Sequence, residues 1–179
     1  MSFRDFLKGE LPALPGETPT LSDWADHLTT AFPEARIKKY MEMRGADGGP
    51  WRRLCALPAF WVGLMYDQNS LDAAWDLVKG WDSETREMLR VSASVEGLQA
   101  QAGSVKLHDL AKEVVALSHA GLKARAKPGA GGLVPDETHF LNALHESIET
   151  GKVPADELLD HYHGDWGGNL DRIYDDFSY

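Results

Sequence analysis

Apolar residues recur at helical spacing in Leu21, Trp24, Ala25, Leu28 and Phe32, with Thr20 or Ser22 placed to cap the start and Pro33 to stop the run. The pattern predicts an amphipathic helix. Ahead of it residues 3–7 form a short amphipathic piece, after which Pro12, Pro15, Gly16 and Pro19 break the backbone too often for regular structure. Beyond Pro33 the period changes to two. Ile37, Met41 and Met43 fall on one face, and Arg36, Lys38, Tyr40, Glu42 and Arg44 on the other, which predicts a strand over about 36–44. Gly45, Asp47, Gly48, Gly49 and Pro50 then make a turn. Trp51 opens an apolar helix that runs to about Tyr66 and is kinked at Pro58.

The rest of the chain reads as helical. Helices are predicted over 70–79, over 82–90 with Asp82 or Ser83 as cap, and over 107–124 along the stripe Leu107, Leu110, Ala111, Val114, Leu117 and Leu122. Residues 92–104 are poor in large apolar groups. The stretch KPGAGGLVP at 127–135 is a flexible loop, since its Pro, Gly and Ala bury little and lose much entropy on ordering. Asp136 caps a helix to about Thr150, Pro154 sits in the first turn of one to His161, and 170–177 form a last short helix. The fold class predicted is α+β, predominantly α-helical, with one or two strands at about 36–44.

Composition narrows the partners more than the fold. A chain of 179 residues, 43% hydrophobic and with six Trp, is ample for one compact unit. The formal charge of -10, from 28 acidic against 18 basic residues, disfavours nucleic acid and anionic lipid. The longest apolar run, 54–65, is shorter than the ~20 residues that span a bilayer and reads as a buried core helix. The single cysteine, Cys55, fits a reducing compartment, and the first residues lack signal- or transit-peptide character. A soluble, untargeted, cytoplasmic protein is the expectation.

The polar face of the predicted strand carries the candidate chemistry. Unpartnered charges are costly to bury, so such a face should look into solvent or a site. Residues two apart on a strand project the same way, roughly 7 Å apart, so Glu42 is placed to bind a hard Mg²⁺ while Arg44 holds a phosphate or carboxylate through two hydrogen bonds. The same spacing serves equally for cross-strand ion pairs on an exposed sheet. Arg52 and Arg53 follow the glycine turn at a helix start, where backbone N–H groups attract anions, with pairing to acidic neighbours as the structural alternative.

A longer stretch of text bears on that choice. HLTTAFPEARIKKYMEMRGADGGPWRRLCALPAFWVGLMYD at 27–67 closely resembles glutamate-cysteine ligases of the plant and alphaproteobacterial type, as do SFRDFLKGELPALPGETPTLSDWADHL at 2–28 and ELLDHYHGDWGGNLDRIYDDFSY at 157–179. The resemblance implies the C-terminal portion of a glutamine-synthetase-like fold, whose antiparallel sheet forms a cup for ATP, Mg²⁺ and L-glutamate. On it, Met41-Glu42-Met43-Arg44-Gly45-Ala46-Asp47 matches a strand of the form hydrophobic-E-x-R-x-x-D. Glu42 then corresponds to a metal ligand and Arg44 to the arginine on phosphate or the glutamate carboxylate, with Lys38, Tyr40 and Arg52 as further substrate contacts. The reaction implied is activation of the glutamate γ-carboxylate by ATP, followed by attack of the L-cysteine amine, the first step of glutathione synthesis.

The resemblance also implies an incomplete site. Family members are considerably longer, and most of the cup lies before the matching part, so the chain is expected to be inactive alone and to need the missing N-terminal portion or a completing subunit. A non-catalytic helical interaction module on the same scaffold is the alternative. Plant members carry a cysteine where this chain has Ala13, and the partner implied for Cys55 lies upstream, so neither bridge is expected here. Asp160, His161, His163 and Asp165 suggest a metal cluster, although His-x-His at a helix end points its rings apart, and DRIYDDFSY reads as a solvated terminus.

Overall fold

The computed structural model describes residues 2–127 and 136–177. Packing divides the chain into two compact units, Met1–Asp47 and Gly48–Tyr179, a division that length and composition do not reveal. The loop predicted at 127–135 lies, Lys127 apart, outside the described residues.

The first unit holds helix α1 (Phe3–Leu7), helix α2 (Leu21–Thr29) and a hairpin of β1 (Ala35–Ile37) and β2 (Met41–Met43). Thr20 is the cap of α2. Its hydroxyl accepts from the Asp23 N–H at 3.3 Å while the Asp23 carboxylate accepts from the Thr20 N–H at 2.7 Å. The Thr20 hydroxyl, donating to the Asp23 carboxylate at 2.6 Å, and the Thr20 N–H hold that carboxyl below its usual range. The ring of Phe3 stacks on His27 and lies against Trp24. None of the described residues of this unit is buried.

The stretch expected to hold one or two strands at 36–44 is two strands in antiparallel register, Ala35 opposite Met43, Arg36 opposite Glu42 and Ile37 opposite Met41. Residues 38–40 make the turn, closed by the Lys38 N–H donating to the Tyr40 carbonyl at 2.8 Å. This turn contains no Gly, Pro or Asn to announce it. Each pair of partners sums to an even number, so the alternation runs through the turn unbroken. The predicted faces survive: Arg36, Glu42 and Arg44 on one side, Ala35, Ile37, Met41 and Met43 on the other.

The second unit contains α3 (Trp51–Met65), α4 (Gln68–Val78), α5 (Ser83–Glu96), a short hairpin of β3 (Gln101–Ala102) and β4 (Val105–Lys106), and α6 (Leu107–Arg125). A 3-10 turn at Thr138–Leu141, then α7 (Asn142–Thr150), α8 (Pro154–His163) and α9 (Arg172–Asp176) complete it. Asp67 caps α4 and Asp82 caps α5. Asp136 does accept from the Thr138 N–H, but it opens the 3-10 turn rather than the long helix expected. The fold class is the one predicted, predominantly helical α+β. Among the described residues no helix is long and apolar enough to cross a membrane.

Helices α3 and α6 pack through their backbones. A methyl group added to Gly63 would meet the Ser118 carbonyl and hydroxyl, and one added to Gly121 would meet the Gly63 carbonyl. The buried Ser118 donates to the Phe60 carbonyl at 2.9 Å, and the buried Ser70 of α4 donates to the Leu117 carbonyl at 3.0 Å. Ala59, Leu122 and Leu141 form the core beside this crossing. A second cluster, Leu89, Ala100 and Ala102, lies under Trp81, Val105 and Leu110.

Candidate active-site segment

The hairpin assembles three charged side chains on one face. Arg36 donates from Nε and Nη2 to the same Glu42 oxygen, each at 2.7 Å, and the Nε of Arg44 stands 3.9 Å from that oxygen. All three are partly buried, with side chains between 24% and 30% exposed. The hydrogen bond from Arg36 holds the Glu42 carboxyl below its usual range, and the charges of Arg36, Lys38 and Arg44 push the same way, so Glu42 is a carboxylate at neutral pH.

Arg44 is held from several directions. Its N–H donates to the Glu34 carbonyl at 2.8 Å, extending the ladder past β2, and its guanidinium lies over the Phe32 ring, 5.4 Å from the centroid. Its Nη1 is buried and has no hydrogen-bond partner among the described residues. An unpaired buried donor costs about 1–3 kcal/mol, and a carboxylate or phosphate oxygen is the acceptor that a guanidinium binds most strongly. The arrangement is suited to take up an anion.

The other predicted residues are placed differently. Lys38 and Tyr40 lie in the hairpin turn, not on a continuous strand face with Glu42 and Arg44, because the chain reverses there. Arg52, in the first turn of α3, is paired with Glu146 of α7. Arg53, whose side chain is 13% exposed, donates to the Ser147 hydroxyl and the Glu157 carboxylate, both at 3.1 Å, and so ties α3 to α7 and α8. Both arginines thus make ion pairs with acidic residues of α7 and α8. Arg36 and Phe32 are the site residues that the sequence did not single out. The signal for Arg36 was the register: once the hairpin is recognised, Arg36 lies opposite Glu42.

Glu42 fits as one ligand of Mg²⁺, being an ionised hard oxygen donor of the kind that cation takes together with phosphates and water. Among the described residues there is no group of three metal-binding side chains. His161 bonds Asp165 at 3.0 Å and stacks on Trp166, while Asp160 pairs with Lys152. The C-terminal segment is not simply solvated: the buried Trp166 donates its indole N–H to Asp176 at 2.8 Å, and Arg172 pairs with the same carboxylate. Cys55 is a half-buried free thiol at the edge of a cavity of about 240 Å³ lined by Pro58, Val62 and the Arg125–Glu137 ion pair.

A helical α+β chain whose short hairpin holds a carboxylate between two arginines offers cationic groups suited to an anionic ligand. The sequence profile of glutamate-cysteine ligase family 2 (GCS2) matches residues 5–176, and the chain belongs to that family. Over its whole length it is 51% identical to the chloroplastic glutamate-cysteine ligase of Medicago truncatula, and 50% identical to those of Solanum lycopersicum and Arabidopsis thaliana. It covers 34%, 33% and 33% of them, respectively, and so spans about a third of the length of the curated relatives it matches. The chloroplastic naming of these relatives overturns the cytoplasmic expectation. A lone free thiol reports only that no internal disulfide forms, which is compatible with more than one compartment.

Proposed function

We propose that this chain forms part of an ATP-dependent ligase that joins the γ-carboxylate of glutamate to the amine of cysteine through an acyl phosphate. Family membership supports the ligase class. The observation that carries the chain's own share is the buried, unpartnered Nη1 of Arg44 beside an ionised Glu42. Arg44 binds a carboxylate or phosphoryl oxygen, Phe32 and Glu42 fix the plane of its guanidinium, and Arg36 keeps Glu42 in place and charged. Lys38 and Tyr40 approach the substrates from the hairpin turn. Arg52, already paired with Glu146, is assigned a structural role.

Glu42 is proposed as one ligand of the Mg²⁺ that accompanies ATP, with the remaining donors coming from outside this chain. That cation would neutralise charge on the phosphoryl group. One carboxylate and one available arginine are too few to bind nucleotide and glutamate together, so the chain alone is proposed to be inactive. The names of the relatives support a plastid as its setting. A non-catalytic helical module would have its polar hairpin face satisfied by its own side chains, and the unsatisfied Nη1 of Arg44 speaks against that reading.

The test is ADP release coupled to γ-glutamylcysteine formation, run on the chain alone and on the chain combined with the remainder of a relative. Turnover only in the combination supports the proposal. Robust turnover by the chain alone sinks the claim of an incomplete site, and unchanged turnover in Arg44→Ala sinks the assignment of Arg44.

A further inference from the structure

The hairpin ladder runs one pair beyond its strands. The Arg44 N–H donates to the Glu34 carbonyl at 2.8 Å, so Glu34 stands opposite Arg44 as Arg36 stands opposite Glu42. Side chains of opposed residues project to the same side of a sheet. The polar face is therefore a square of alternating charge, with Glu34 and Arg36 along one side and Arg44 and Glu42 along the other. One cross-strand pair is closed, since Arg36 holds Glu42 through two nitrogens. The other is not. Among the described residues Glu34 makes no ion pair or side-chain hydrogen bond, and the one carboxylate within ion-pair reach of Arg44 is that of Glu42, at 3.9 Å.

A buried donor without a partner, with a carboxylate of the same face opposite it, needs a physical cause, because opposed charges in this position attract. The Glu34 carboxylate lies over Gly45 instead. A Cβ built on Gly45 would stand 2.8 Å from Glu34 Oε2 and 3.8 Å from Glu34 Cδ, so that carboxylate fills the space a side chain at position 45 would take. The backbone does not require the glycine, since Gly45 is not among the residues of positive φ. Arg44 in turn is held by the Phe32 ring, 5.4 Å from its guanidinium carbon, and by the charge of Glu42.

From this we infer that Gly45 and Glu34 are positioning residues of the anion site at Arg44. The missing side chain at 45 gives the Glu34 carboxylate a place off the guanidinium, and Glu34 is an internal competitor that takes Arg44 once that place is filled. The ligand it competes with is an oxyanion, a carboxylate or a phosphoryl oxygen. The role of competitor rests on the anion binding proposed for Arg44; the seat of Glu34 over Gly45 does not.

The experiment titrates the full chain with inorganic phosphate and follows the Arg44 side-chain Nε–H resonance by NMR, the backbone amide spectrum showing that each variant keeps the hairpin. A saturable shift is expected in the wild type. Gly45→Ala displaces only the flexible end of Glu34 and should weaken phosphate binding at least about fivefold, because the displaced carboxylate pairs with Arg44. Glu34→Gln keeps the size and removes the charge. It should bind at least as tightly as the wild type, and adding Gly45→Ala to it should cost less than about twofold, a non-additivity that separates charge competition from a steric defect. A parallel titration with L-glutamate tells a carboxylate from a phosphoryl ligand by the lower Kd. Equal affinity in wild type and Gly45→Ala overturns the inference, as does a loss in Gly45→Ala that persists undiminished in the Glu34→Gln background. If Gly45→Ala does not fold, Glu34→Gln decides alone: weaker binding overturns the competition, and equal or tighter binding upholds it. No response of Arg44 to either anion in wild type or Glu34→Gln removes the anion role of Arg44 itself, and the competition falls with it.

Discussion

Arg36 lies directly across the hairpin from Glu42 and places two guanidinium nitrogens on one of its oxygens, each at 2.7 Å. The residue whose type and spacing suggest a metal ligand is thus, within this chain, an ion-pair partner braced from the opposite strand. The brace has two effects. It keeps Glu42 ionised, and it leaves Arg44, 3.9 Å away and less engaged, as the cation available to a ligand.

The depressed pKa of Glu42 sets a pH dependence. A carboxyl whose folded pKa lies below its unfolded value contributes stability above the unfolded value, about 4 for Glu, and loses it as pH falls through the folded pKa. Protection of the Arg44 amide, which bonds Glu34 across the hairpin, should therefore fall below about pH 4 in the wild-type chain. In Glu42→Gln it should be weaker at neutral pH and nearly flat in this window. Hydrogen exchange from pH 6 downward checks this, and identical profiles for the two proteins would contradict it.

Arg44→Lys keeps the charge and removes the planar fork. In the assembled enzyme, kcat/KM for γ-glutamylcysteine formation should drop at least about 100-fold, since a lysine cannot reproduce two fixed donors. The melting temperature of the chain should change little, because the Glu42 carboxylate stands 3.9 Å from the Arg44 Nε, too far for a hydrogen bond to be lost. A variant that keeps full activity would remove Arg44 from the site.

Gly63→Ala and Gly121→Ala should each destabilise the second unit by about 3 kcal/mol or more, because the added methyl meets backbone atoms of the facing helix and overpacking of that kind forces the helices apart. Gly80→Ala, where a Cβ meets nothing within 4 Å, should stay within about 1 kcal/mol of wild type. Urea denaturation followed by circular dichroism separates the cases.

Trp166→Phe retains most of the ring but removes the N–H that bonds Asp176 at 2.8 Å. A loss of about 1 kcal/mol is expected, smaller than removal of the whole side chain because Arg172 still pairs with Asp176. The same urea titration reads it.

The sequence carried the local structure well where side-chain period and caps decide it. Thr20, Asp82 and Pro154 sit at helix starts as predicted, and the even-odd alternation from 36 to 44 gave the correct faces. It left open whether this alternation belongs to one strand or two, because a turn that preserves parity leaves no mark in a period of two. The hairpin at 101–106 was also passed over. Its Gly103-Ser104 turn, with Gly103 at φ 58°, is a recognisable signal, but the flanking strands are too short to register as a pattern. In the hairpin, the shared face of Glu42 and Arg44 was legible from their spacing. Arg36, Phe32 and the unpartnered Nη1 depend on register and packing, which spacing along one strand does not encode. The same holds for Gly63 and Gly121, whose roles appear only once α3 and α6 are known to cross there.

That crossing has a mechanical consequence. Helices separated by leucine or phenylalanine side chains have slack at the contact, whereas two backbones in contact at Gly63 and Gly121, pinned by the Ser118 hydroxyl, act as a pivot with almost no play. From Gly63 back to Trp51 helix α3 is a lever of roughly 18 Å at about 1.5 Å per residue, so a tilt of about 5° at the pivot would move its tip by roughly 1.6 Å. That displacement is enough to break the 3.1 Å bonds by which Arg53 holds α7 and α8. Two absent methyl groups thus govern the alignment of hydrogen bonds more than two helical turns away.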